Sequence, residues 1–79
     1  MDLVSLLGKN VKAQRLARGM SQEQLGFEAE MKRSYVSDLE RGTRNPSVRA
    51  LGRLAAALGI EPSVLLQRPD GDHSKTMDS

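Results

Sequence analysis

The chain has 79 residues, a formal net charge of +2 and no cysteine, so it makes one small domain supported by neither disulfides nor a thiolate metal site. A chain this short buries only about 60% of the surface it exposes when unfolded, which argues against a sizeable substrate pocket. Apolar residues form 38% of it, chiefly Leu and Ala, with one Phe, one Tyr and no Trp, a bias toward helix over strand.

Apolar spacing and punctuation divide the chain into five helical segments. The first runs from about Asp2 to Arg18, with Leu3, Leu7 and Val11 at four-residue steps, Leu16 and Ala17 on a related face, and Gly19 as the stop. Gly8 lies inside it and weakens its middle by up to about 1 kcal/mol relative to Ala. Ser21 opens the second segment, with Gln24 three residues later and Glu23 in the first turn, a combination that satisfies free amides and suits the helix dipole. It extends to about Ala29. Gly26, in its middle, fits a crossing helix that must come close.

A short turn at Glu30, Met31 and Lys32 leads to the third segment, whose inward residues are Val36 and Leu39 and whose stop is Gly42. Pro46 pushes Asn45 toward an extended conformation, and Ser47 caps a fourth helix with Val48, Leu51, Leu54, Ala55 and Leu58 on one face. Gly59 ends it. Pro62 suits the first position of a fifth helix, followed by Val64, Leu65 and Leu66. Residues 1–67 are therefore read as the domain. Residues 68–79, "RPDGDHSKTMDS", have almost no apolar content and read as a disordered tail. The longest apolar stretch, "LAAALGI" with its one Gly, is far short of the ~20 residues that cross a bilayer, and no basic-then-apolar leader opens the chain. A cytoplasmic protein with no membrane contact is expected.

The positive charge is uneven. Between Lys32 and Arg53 stand six cations (Lys32, Arg33, Arg41, Arg44, Arg49, Arg53) and two anions (Asp38, Glu40), a local balance of +4. Such concentration suits a polyanion, although a solvated helix surface would show it too. Lys32 and Arg33 decide between these readings. Cations at a helix N-terminus oppose the macrodipole at typically 0.3 to 1 kcal/mol each, and a Ser or Asp at Lys32 would cap better by ~1 kcal/mol. Local rules tend to be broken where function overrides them. On the outer side of the same helix lie Arg33, Ser34, Ser37, Asp38 and Arg41, a row of hydrogen-bonding groups suited to the floor of a DNA major groove. The helix pair itself matches a docking geometry in which one helix crosses the backbone and the next enters the groove.

"RLARGMSQEQLG" and "AEMKRSYVSDLERGTRNPSVRALGRLAAALGI" together resemble the helix-turn-helix family of phage lambda repressor and Cro, the XRE family, from about Val11 to Leu66. The resemblance implies an all-α, compact five-helix lambda-repressor-like DNA-binding domain with the helix-turn-helix at helices two and three, acting as a transcriptional regulator and usually as a homodimer on double-stranded DNA. By position it implies base reading by Lys32, Arg33 and Ser34, with Ser37 on the same outer row and Asp38 one turn later. Gln22 matches a residue that contacts phosphate and braces the reading helix, Arg44 and Asn45 match a phosphate-binding loop, and Arg15 with Glu40 matches a buried structural ion pair.

Three positions depart from the family pattern. Glu30 stands where Gly is common, so either the turn differs or a non-Gly residue adopts the left-handed conformation. Asp38 would repel phosphate, and either reads a cytosine amino group or orients Arg41 or Ser34. Lys32 replaces a small capping residue and contacts either phosphate or base. Arg41 joins the expected phosphate ligands. Tyr35 is expected either against the sugar-phosphate strand, among the phosphate ligands, or packed beside helix two.

Nothing points to catalysis. There is no Gly-rich phosphate loop and no Cys nucleophile, Ser34 and Ser37 have no base nearby in the sequence, and the single His73 lies in the tail with no second ligand for a metal. No cofactor or small-molecule effector is expected. Two functional classes remain: a homodimeric regulator on a partly palindromic operator, with restriction-modification controllers a possible kind, or an antitoxin-type protein-interaction module with secondary DNA binding. The chain has no long extra region for neutralising a toxin, which favours the first.

Overall fold

The computed structural model describes residues 2–68. Within them lie four α-helices and no strand: α1 (Leu3–Ala17), α2 (Gln22–Ala29), α3 (Arg33–Arg41) and α4 (Val48–Leu58), followed by a 3-10 helix at Pro62–Leu66. The fifth expected helix is thus a single tight stretch. Asn10 of α1 holds its last turn, because its Nδ2 donates to the carbonyls of Leu65 and Gln67, both at 2.8 Å, and fastens this segment to α1. The tail expected from Arg68, with His73, lies outside the described residues apart from Arg68 itself.

Three of the four α-helices start on a side-chain cap. Asp2 accepts from the Ser5 amide at 2.8 Å, Ser21 from the Gln24 amide at 3.0 Å and Ser47 from the Ala50 amide at 3.0 Å, each satisfying a donor that the helix leaves free. The Ser5 amide also holds the Asp2 carboxyl below its ordinary range.

The core gathers Leu7 and Val11 of α1, Leu25 and Ala29 of α2, Val36 and Leu39 of α3, and Leu54, Ala55 and Leu58 of α4, closed by Met20 and Leu65. Four expected inward residues face solvent instead: Leu3, Leu16 and Ala17 of α1 and Val48 of α4. The buried stripe of α1 runs through Leu7, Val11 and Arg15, with Leu6 beside it. Polar Arg15 takes the place that an apolar-only reading gave to Leu16.

Helix α3 packs against both α1 and α2. Gly8 makes the first contact possible: a Cβ there would collide with the Leu39 carbonyl oxygen of α3. The helix-weakening residue of the sequence is the point at which two backbones meet. At Gly26 a Cβ would lie 2.7 Å from the Met31 carbonyl oxygen and 3.5 Å from the Arg33 nitrogen, so the close neighbour there is the turn and the first residue of α3.

Candidate nucleic-acid interface

Helix α3 is amphipathic over only nine residues. Val36 and Leu39 have no exposed surface, which fixes the rotation of the helix and turns Lys32, Arg33, Ser34 and Arg41 outward, with Ser37 and Asp38 half-buried beside them. The turn before it keeps the regular helix-turn-helix path. Glu30 takes the left-handed conformation, φ 61° and ψ 47°, and Met31 N–H bonds back to the Gly26 carbonyl at 2.8 Å. A side chain in that conformation costs about 1 kcal/mol, and the geometry is retained in spite of it.

The two ends of α3 differ in chemistry. At its start Lys32 occupies the N-cap position with φ −70° and ψ 151°, and no side chain caps the helix. Its carbonyl accepts from the Tyr35 and Val36 amides at 2.9 and 3.2 Å. Lys32, Arg33 and Ser34 form no side-chain hydrogen bond among the described residues, so their donors are presented together with the uncapped first-turn amides.

The far end is a closed network. Asp38 pairs with the Arg41 guanidinium and, at 3.4 Å, with Arg44 Nη2. Arg41 Nη1 donates to Ser37 Oγ at 2.9 Å, and the Arg44 guanidinium lies 4.6 Å from the centre of the Tyr35 ring, a cation–π contact. Of the alternatives for Asp38, the structure holds it against Arg41 and Arg44, with no bond to Ser34. Tyr35 is half-buried against the core and serves as a shelf for Arg44. These pairs are largely exposed, and exposed ion pairs contribute only about 0 to 1 kcal/mol, so an incoming phosphate can compete for either guanidinium. Asn45 is exposed beyond Arg44.

The inner side of the same end is anchored. Arg15 Nε and Nη2 donate to the two carboxylate oxygens of Glu40 at 2.6 and 3.0 Å, and Arg15 Nη1 donates to the Met20 carbonyl at 2.8 Å. The hydrogen bonds it donates to Glu40 hold the Arg15 guanidinium further toward its charged form. Gln22 Nε2 donates to Glu40 Oε1 at 3.1 Å, so the first residue of α2 is tied to α3 through this pair. A bidentate, buried pair of this kind fixes orientation more surely than it adds stability.

Thr43 was not singled out by sequence reasoning. Its amide and Oγ1 both donate to the Asp38 carbonyl, at 3.0 and 3.2 Å, which folds the loop bearing Arg44 back onto α3. The signal was present in its position directly after the Gly42 cap, where free carbonyls await donors. Among the described residues no cluster of metal-ligating side chains is gathered, and no helix is long and apolar enough to cross a membrane.

A helix-turn-helix family model matches residues 11–65, which contain α2, the Glu30 turn and α3. The chain belongs to the helix-turn-helix family of XRE type. Control protein C.BamHI of Bacillus amyloliquefaciens is 47% identical over 62 residues, 77% of this chain and 76% of that protein. Among solved structures, the restriction-modification controller protein C.AhdI of Aeromonas hydrophila superposes with a TM-score of 0.77 at 44% identity, covering 78% of this chain and 94% of that one. The immunity repressor of Bacillus phage phi105 is 42% identical over 60 residues, but those are 42% of its length. This helix-turn-helix protein is a transcriptional regulator whose relatives include restriction-modification controller proteins.

Proposed function

We propose that this regulator binds DNA sequence-specifically, as a homodimer on a partly palindromic operator, and that residues 1–67 form the binding domain. Lys32, Arg33 and Ser34 read base edges with Ser37 and Asp38 beside them, while Arg41, Arg44, Asn45, Tyr35 and Gln22 hold the phosphate strand. The observation that carries this reading is the uncapped start of α3, where two cations and a hydroxyl stand exposed and form no side-chain hydrogen bond among the described residues, while Val36 and Leu39 lock the helix from behind. An Arg at such a place can bond guanine O6 and N7 together. Control of a restriction-modification system is the biological setting that the similarity to C.BamHI and C.AhdI supports.

Duplexes selected from a random pool by the full chain test this. They are expected to share two related half-sites spaced by about one DNA turn, ~34 Å, as a two-fold pair requires. With about four phosphate contacts per subunit, affinity should fall with salt at a log-log slope near −7. A salt-independent affinity, or a pool with no common sequence, would contradict the reading and leave a protein partner as the target.

A further inference from the structure

Ser5, Gly8, Lys12 and Arg15 of α1 recur at steps of three, four and three, so they share one stripe of the helix. Three of them meet α3 or its cap. A Cβ on Gly42 would lie 3.2 Å from Ser5 Oγ and 3.5 Å from Ser5 Cα, and a Cβ on Gly8 would run into the Leu39 and Glu40 carbonyls. Arg15 holds the Glu40 carboxylate through two hydrogen bonds. The fourth member, Lys12, is exposed. Its neighbour Val11, about 100° around the helix, has no exposed surface, so Lys12 stands on the side of the α1–α3 contact that opens away from the core. On α3 that side carries the outward row with Arg33, Ser37 and Arg41.

No partner inside the chain accounts for a cation at this place. Glu40, the carboxylate that α3 turns toward the stripe, already accepts from Arg15 and from Gln22. Lys12 forms no side-chain hydrogen bond or ion pair among the described residues.

The flanks of α3 are unequal without it. On the side of the α3–α4 connection stand Arg41 and Arg44, gathered by Asp38. On the side of α1 and α2 the expected phosphate ligand is Gln22, which is uncharged and bonded to Glu40. A helix lying in the major groove has a phosphate strand on either hand, and the salt-dependent part of the affinity comes from cations set against those strands.

We infer that Lys12 is a phosphate ligand on the Gln22 side of α3, supplying the charge that this flank lacks; the inference rests on the reading of α3 as the helix that enters the groove. A lysine amine is a compact charge with three donors on a flexible stem, so it adds affinity and carries no sequence information. A lysine that only complemented the C-terminal end of the α3 dipole would act on stability and leave duplex binding alone.

Fluorescence anisotropy of the full chain on a selected duplex and on an unrelated one, each titrated over a range of salt, tests this with Lys12→Ala, Lys12→Arg and Lys9→Ala. Circular dichroism melting of each variant verifies folding. Lys9 is also exposed on α1 but lies about 100° around the helix from Gly8, so its removal controls for net charge. Lys12→Ala should melt normally, weaken both duplexes by the same factor and flatten the log-log salt slope by about 0.9 for each subunit bound. Lys12→Arg should restore the slope and Lys9→Ala should keep it. A slope unmoved by Lys12→Ala, one moved as far by Lys9→Ala, or a loss confined to the selected duplex would overturn the inference. A wild type that binds no duplex, or binds without regard to salt, removes the DNA reading and this ligand with it. A steep wild-type slope that survives Lys12→Ala removes the ligand alone.

Discussion

The two ends of α3 are built on opposite plans. The start, at Lys32, Arg33 and Ser34, is exposed, uncapped and without side-chain bonds among the described residues, whereas the end is tied inward through Glu40 to Arg15 and Gln22 and outward through Asp38 to Arg41 and Arg44. The contrast separates two tasks. A group that must bond a base gains from having nothing to release, and a group that must hold the helix still gains from several bonds at once.

That separation can be broken by substitutions at either end. The largest effect belongs to the anchored end: Glu40→Ala leaves the buried Arg15 charge without its partner and should lower unfolding free energy by about 3 to 5 kcal/mol, measured by urea denaturation. A loss under about 1 kcal/mol would show that the pair behaves as a surface bridge and does not anchor α3. At the open end, Arg33→Ala should leave stability nearly untouched while weakening operator binding by about 1 to 3 kcal/mol and relaxing preference at one base position. Arg44→Ala, measured alongside by fluorescence anisotropy on operator variants, should weaken all of them alike; matching profiles for the two would erase the distinction between reader and anchor.

The sharpest comparison is a trade. Lys32→Asp supplies the cap that α3 lacks and should raise stability by about 1 kcal/mol, yet it sets an anion against the duplex and should abolish detectable binding. If stability rises and binding survives, the uncapped start has no bearing on DNA. The smallest effect is expected at Asp38→Asn, where exposed pairs are worth at most about 1 kcal/mol. Its removal frees Arg41 and Arg44 for phosphate, so affinity for unrelated duplexes should increase and the salt slope steepen. Unchanged binding to random DNA would mean that Asp38 does not restrain these two cations.

Much of this was legible in the residues. The four α-helices follow from Leu and Ala at helical spacing, from Ser21 and Ser47 as caps and from glycines as stops, all of them local effects. The outward row on α3 was equally local, because Val36 and Leu39 alone fix which side faces in. The fifth segment was legible in its place but not in its kind: it is a 3-10 helix at Pro62–Leu66, and the Asn10 side chain that holds the Leu65 and Gln67 carbonyls comes from α1, far away in sequence. The inward assignment of Leu16 failed for a related reason: Arg15 is buried only because Glu40 and the Met20 carbonyl are there to receive it.

The sequence by itself determined the helix count up to α4, the helix-turn-helix and the concentration of cations around α3, because capping, periodicity and charge act over a few residues. Only the tertiary structure decided which of those cations are free and which are held, that Gly8 marks a crossing of backbones, and that Lys12 stands on the stripe of α1 that meets α3. Each of these depends on groups distant along the chain coming within bonding or contact distance, which no local pattern specifies.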